Sequence, residues 1–301
     1  MNTFGDKWSF TSFGESHGAA IGGVLDGVPA GLPIDFAMIR EALERRAGKG
    51  QAGVSARALR EPDEVEWLSG VLDGVSLGTP IAFLIRNKDA RPEDYEAFKH
   101  SYRVGHADKA YELKYGIRDY RGGGRASARE TAARVVAGCI AKQDLAAKGV
   151  TIRAELVQVG AETHPEKFAE TIESFRREGD SIGGIVECRI HGLPAGTGEP
   201  IFNKLQAELA FAMMSINACK GFEYGTGFAG VTQPGSVINA ISGGISGGIS
   251  DGTEVVFRCV FKPTPSTPKA GVKGRHDACV ATRAVPVVEA MTALTLVNLI
   301  G

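Results

Sequence analysis

The chain has 301 residues, 43% of them hydrophobic and 23% charged, which is the balance of an ordinary soluble globular protein long enough for one large domain or two small ones. No run of about 18 uncharged apolar residues occurs, so no transmembrane helix is expected. The 34 Lys+Arg against 35 Asp+Glu leave a net charge of −1, which argues against a general nucleic-acid binder. The first residues, MNTFGDKWSF, lack a basic stretch leading into an apolar one, so the reading is cytoplasmic, without a secretory signal. Five cysteines, at 139, 188, 219, 259 and 279, form no CxxC or other close pair. They are expected as reduced core thiols, not as a disulfide framework or a zinc site. Glycine occurs 40 times, about twice its usual share, in clusters that mark tight turns or close backbone approach.

In chain order, the first unusual segment is TSFGESHGAAIGG, 11–23. Ser16-His17 sits between Gly14 and Gly18, where a histidine can serve as acid or base near neutral pH. G-E-S-H-G also fits the nucleophile-elbow pattern of hydrolases, but it lies near the N-terminus and runs into a strand-like segment at 20–28. Periodicity predicts a helix over 36–46 capped by Asp35 and ended by Arg45-Arg46, then a strand over 80–86. YRVGHADKAYELKYG, 102–116, places Arg103 and His106 around a glycine. YRGGGRASARE, 120–130, runs three glycines into a helix that opens on a Ser127–Glu130 capping box. Exposed N–H groups, the helix dipole and Arg121, Arg125 and Arg129 make that junction a candidate site for phosphate or carboxylate. It is not a Walker A loop, because the G-x-x-x-x-G-K-[ST] spacing is absent.

Strands are predicted over 151–159, 184–190 and 254–262, and helices over 200–216 and 284–299. SGGISGGISDG, 242–252, offers backbone for close approach to a ligand, and KGRHDACVATR, 273–283, sets Arg275, His276 and Asp277 before a helix. Three pairs of segments match in the same order: 21–31 with 182–196, 69–89 with 246–264, and 124–138 with 274–290. They suggest one domain, 1–301, of two pseudo-repeated α+β halves, about 1–150 and 151–301. Several arginines, two or three histidines and glycine-rich backbone suit a small, multiply anionic substrate such as a phosphate ester with carboxylates. The reaction stays open between lyase, transferase and isomerase.

FGESHG, RVGHAD, YRGGGRASARET, GDSIGG, MSINACKG, GGISGGIS and GRHDACVATRAVP together resemble the chorismate synthase family, over about residues 4–299. The resemblance implies a lyase that converts 5-enolpyruvylshikimate 3-phosphate to chorismate by 1,4-elimination of phosphate. It also implies reduced FMN as cofactor without net redox change, NADPH as a possible reductant, and a homotetramer. Its fold would be a β-α-β sandwich, antiparallel sheets around a helical layer. It implies His17 near the leaving phosphate, His106 as proton donor to the flavin, and Ser16 with Asp277 as a proton relay. Arg46, Arg103, Arg129 and Arg275 would surround substrate. Arg125, Ala126, Ser127, Asn217, Ala218, Gly247, Lys262, Pro263, Thr264, Pro265 and Ser266 would hold flavin, with Arg275 shared. The chain departs from the family at Ala47 and Ala52, where arginines are usual and Lys49, Arg57 or Arg60 are the candidate substitutes. It is also short over 234–246 and 263–274. Two other readings stand beside the enzyme: a flavin binder without catalysis, and a non-catalytic anion- or RNA-binding module.

Overall fold

The computed structural model describes residues 1–50, 63–238, 241–265, 267–270 and 277–300. The first half runs β1 (Thr3–Phe4), β2 (Ser9–Phe13), β3 (Ala20–Asp26), α1 (Phe36–Ala47), β4 (Val65–Trp67), the hairpin β5 (Val71–Leu72) and β6 (Val75–Ser76), β7 (Ile81–Arg86), α2 (Asp108–Tyr115) and α3 (Thr131–Ala147). The second runs β8 (Thr151–Val159), α4 (Pro165–Arg177), β9 (Gly184–His191), α5 (Leu205–Met214), β10 (Cys219–Tyr224), the hairpin β11 (Ile245–Ser246) and β12 (Ile249–Ser250), β13 (Val255–Phe261) and α6 (Ala281–Leu299).

Two antiparallel sheets carry these halves, in the orders β1-β2-β3-β7-β4 and β8-β9-β13-β10. Apart from β1, the strand order is the same in both. Each sheet has a two-residue hairpin inserted ahead of its third strand, β7 or β13, and each half ends on a long helix. The alternation in β13 explains its place: Val255, Phe257, Cys259 and Phe261 are buried, whereas Val260 on the opposite face is exposed. The helix α3 packs on β2 and β3 of the first sheet, α6 packs on β8 and β9 of the second, and the two helices pack on each other. A Cβ on Gly138 of α3 would stand 2.3 Å from the Cβ of Ala290 in α6, so the helices meet where only the alanine methyl stands between the two backbones. Every residue of α6 from Pro286 to Val297 is buried, as expected of a helix walled in on all sides.

Asp35 caps α1 through its carboxylate, accepting from the N–H of Met38 at 2.9 Å. The expected capping box at 127–130 is only half formed. Ser127 Oγ accepts from the N–H of Arg129, but a 3-10 turn intervenes before α3, and Glu130 turns forward to Arg134. The predicted helix over 200–216 shortens to Leu205–Met214, leaving Phe202 exposed ahead of it, while the last helix begins at Ala281, so that Pro286 lies inside it. All five cysteines are buried free thiols. The two ends of the fold are fastened together. Asn298 Oδ1 accepts from the N–H groups of Asp6, Lys7 and Trp8 at 2.9, 2.9 and 3.1 Å, and Asn298 Nδ2 donates to the carbonyls of Trp8 and Leu294.

Candidate active site

The loop between β2 and β3 carries Ser16 and His17, both buried. Ser16 Oγ and His17 Nδ1 are 3.0 Å apart, and the His17 ring meets Tyr95 edge-on with centroids 4.7 Å apart. Asn87, at the end of β7, holds this loop in shape. Its Nδ2 donates to the carbonyls of Glu15 and Gly18 at 3.0 and 2.9 Å, while its Oδ1 accepts from Arg129 Nε at 3.0 Å. The glycine turn 122–124 closes over the histidine. Gly122 has φ +72°, and a Cβ there would lie 2.1 Å from His17 Nδ1.

Three of the expected arginines are buried. Arg46 donates to Thr131 Oγ1, Asp63 Oδ2 and the Ala128 carbonyl, at 3.1, 3.2 and 2.9 Å. Arg129 pairs with the other oxygen of Asp63, so one carboxylate joins the two guanidiniums. Burial, with Arg283 and Arg129 nearby, pushes the Arg46 guanidinium down to about 9 against the pull of Asp63. Arg103 grips Asp108 with Nε and Nη2, at 2.9 and 2.7 Å, and donates to the Gly122 carbonyl at 2.8 Å. His106 Nδ1 is 2.9 Å from the same carboxylate. Both expected histidines therefore bear on a single glycine turn, His17 directly and His106 through Asp108 and Arg103. Arg125 reaches back to Ser12 Oγ at 2.6 Å and the Gly14 carbonyl at 3.3 Å.

An open cavity of about 1020 Å³ adjoins these groups, lined among others by Ser12, Gly14, His106, Asp108, Gly124, Arg125 and Ala126, whereas Ser16, His17, Arg46, Arg103 and Arg129 lie behind its lining. The second half meets the same region. Asn217 Nδ2 donates to the Ala126 carbonyl at 3.0 Å, and its buried Oδ1 has no partner among the described residues. Ala218, at φ +66°, accepts from the Lys262 N–H, and Lys262 Nζ lies 3.5 Å from the Gly105 carbonyl. The segment from Pro263 to Pro265 continues from there: the Thr264 carbonyl accepts from Ser181 Oγ, and a Cβ on Gly105 would lie 3.0 Å from Pro265. Asp277 accepts from Arg283 Nη1 at 2.6 Å, and Arg283 Nε donates to the Arg46 carbonyl at 2.8 Å. Gly247 stands apart, in the turn of the β11–β12 hairpin, where it lines a second cavity of about 800 Å³ with Phe222 and Phe228. Ser266, Arg275, Ala52, Arg57 and Arg60 lie outside the described residues. Of the candidate substitutes for the missing arginines, Lys49 pairs instead with Glu44 on the surface; Arg45, beside Arg46, turns away to Glu289.

Asp63, Asn87, Asp108 and Arg283 were not expected. Asp108 had a local signal, two residues beyond His106 in GHAD; the other three carry none, since Asn87 and Asp63 reach Arg129 from 42 and 66 residues away and Arg283 reaches Arg46 from 237.

A cavity lined by Arg118, Arg121, Arg125 and His106, with His17 buried against the adjoining Gly122 turn, is suited to a small molecule bearing several negative charges whose bonds are broken with proton transfer. Enzymes that act on phosphate esters, lyases among them, form that class. The family model for chorismate synthase matches residues 8–300. The chorismate synthase of Phocaeicola vulgatus is 46% identical, with 99% of this chain and 97% of that protein covered. That of Paramagnetospirillum magneticum is 47% identical, with 99% and 96% covered. A solved crystal structure of chorismate synthase is 30% identical and superposes with a TM-score of 0.78 over 98% of this chain and 92% of that one. The chain belongs to the chorismate synthase family, whose members convert 5-enolpyruvylshikimate 3-phosphate to chorismate and use reduced FMN. The alignment with the Phocaeicola protein spans 351 positions, well beyond the 301 residues here, so relatives carry segments that this chain lacks.

Proposed function

We propose that the residues around the cavity divide the chorismate synthase reaction among them as follows. In the 1,4-elimination the bond from carbon to phosphate oxygen breaks, a C–H bond breaks on the opposite face, and chorismate and inorganic phosphate leave. His17 gives a proton to the departing phosphate. Its burial beside Ser16, Tyr95 and the Gly122 turn holds the ring in one orientation. Arg46, Arg103, Arg129 and Arg275 neutralise the substrate's phosphate and carboxylates. Ser16 and Asp277 relay a proton.

The flavin's binding residues are Arg125, Ala126, Ser127, Asn217, Ala218, Lys262 to Ser266, and Arg275; Gly247, expected with them, lines the second cavity instead. The fit has support in this structure: Asn217 Oδ1 is buried without a partner beside Ala126, on the 3-10 turn Gly124–Ala126 that brings N–H groups and Arg125 to the cavity. When bound, reduced FMN supplies electron density that helps phosphate leave. His106 holds a proton for it. NADPH is the proposed reductant. The chain is proposed as one cytoplasmic domain of two repeated halves, a β-α-β sandwich whose helical layer is α3 and α6, assembled as a homotetramer. The shared strand order and the packing of each long helix on its own sheet support that architecture.

The observation that carries the catalytic reading is the meeting of His17, Arg103 and, through Asp108, His106 on the turn at Gly122. The test is anaerobic mixing of the purified protein with chemically reduced FMN and 5-enolpyruvylshikimate 3-phosphate, following chorismate absorbance and free phosphate together. Stoichiometric release of both is expected. FMN binding with no product would instead identify a flavin binder disabled by the segments it lacks.

A further inference from the structure

Asp108 has two carboxylate oxygens and four hydrogen-bond contacts. Oδ2 accepts from the N–H and Nε of Arg103, at 3.1 and 2.9 Å. Oδ1 faces Arg103 Nη2 at 2.7 Å and His106 Nδ1 at 2.9 Å. The side chain is buried at the first residue of α2. Although burial opposes its charge, the bonds from His106 and Arg103 hold its carboxyl well below the usual range.

An ionised carboxylate has no hydrogen to give, so the hydrogen in the Oδ1 contact belongs to His106 Nδ1. Arg103 Nη2 also lies 3.2 Å from Nδ1, and could in principle have donated to a bare nitrogen there. Its two hydrogens are already used, on Asp108 Oδ1 and on the Gly122 carbonyl at 2.8 Å. The ring is therefore the Nδ1–H form whenever it is neutral. Nε2 has no partner among the described residues, and His106 lines the cavity.

We propose that Asp108 is the positioning residue of this site: it fixes the tautomer and tilt of His106 so that Nε2 is the atom that exchanges a proton in the cavity. This rests on the reading of His106 as a proton donor. Arg103 extends the arrangement by tying Asp108 to the Gly122 turn, which in turn confines His17. The two histidines thus share one support.

Asparagine at 108 would reverse the arrangement. Its single oxygen is claimed at the Oδ2 position by two donors of Arg103, which leaves its NH₂ facing Arg103 Nη2, itself a donor, and His106 Nδ1, the atom of the two that can accept. The neutral ring must then carry its hydrogen on Nε2. The test uses protein labelled with ¹⁵N-histidine, with the His106 signals assigned by their loss in His106→Gln. Long-range ¹H–¹⁵N correlation at a pH where the ring is neutral is expected to show Nδ1 protonated in the native chain and Nε2 protonated in Asp108→Asn. Chorismate formation by Asp108→Asn at saturating reduced FMN and substrate is expected to fall about 10²-fold or more, with the FMN Kd nearly unchanged. An Nε2–H tautomer in the native protein overturns the proposal, even if the variant fails to fold. An inactive His106→Gln beside a fully active Asp108→Asn overturns it alone. A fully active His106→Gln overturns the proton-donor reading and, with it, the role given to Asp108.

Discussion

A methyl group on Gly122 would overlap His17 Nδ1 and crowd Ser16 Oγ, at 2.1 and 3.1 Å, and the backbone there is already left-handed. The buried imidazole must yield, since the turn is pinned by Arg103. Gly122→Ala is therefore expected to lose about 10²-fold or more in turnover, the scale of a lost acid–base group, with the fold kept; circular dichroism beside steady-state rates checks both. Arg125 faces the cavity while holding Ser12 and Gly14. Arg125→Ala should chiefly weaken FMN binding, read by titration of flavin fluorescence, and a Kd within twofold of the native value would remove it from the flavin site. At this scale the sequence was informative wherever chemistry and spacing coincide locally, as in GESHG, RVGHAD and RGGGRASARE. It was silent on Asp63 and Asn87, ordinary polar residues whose importance arises only when β4 and β7 bring them to Arg46 and Arg129.

Among the elements, α1, α3, β8 and α6 are joined by one buried carboxylate. Glu289 of α6 pairs with Arg45 of α1 and Lys142 of α3 and accepts from the N–H of Ala154 in β8. Burial opposes its charge, yet Arg45 and Lys142 lower its pKa below the usual 4.5. A carboxylate held below its unfolded value contributes stability above that value, and the contribution is lost as pH falls through the folded one. Glu289→Gln is expected to destabilise by about 3 kcal/mol at pH 7 and to flatten the decline in urea midpoint between neutral and acid pH. An unchanged slope would count against it. The close approach of α3 and α6 makes a second prediction: Gly138→Val should cost about 1–3 kcal/mol by overpacking, seen as a lower midpoint with unaltered m-value. Strands with clean alternation, such as β13, and helices with a broad apolar stripe could be read from sequence. The helix α4 went unread although Phe168, Ile172 and Phe175 recur at helical spacing, the first two of them buried. The short strands β2 and β10 owe their form to neighbours more than to their own pattern.

On the scale of the whole molecule, the two halves share the work unequally. In the proposed site the first supplies His17, His106, Arg46, Arg103, Arg125 and Arg129, and the second Asn217, Lys262 and Asp277. The matched segments at 21–31 and 182–196, 69–89 and 246–264, and 124–138 and 274–290 fall on corresponding strands, hairpins and helices of the two sheets. That correspondence was legible because glycine clusters mark the same turns in each half. The surface carries large apolar side chains, Val104, Phe202, Phe228 and Val231 among them, more than 80% exposed. A homotetramer gives such surface somewhere to go. Sedimentation equilibrium should return four times 31.7 kDa, and a monomer mass would exclude the assembly.

The Asn298 clasp also has a consequence in time. Its partner Trp8 lies 290 residues earlier in the chain. At about 5–20 residues per second, a ribosome takes roughly 15–60 s to reach Asn298 after Trp8 is made. The strands β1 to β3 are made well before Asn298 and wait that long for their fastening. The loop that carries Ser16 and His17 is thus among the first parts of the site to be synthesised, while the clasp on the neighbouring residues 6–8 must wait for Asn298.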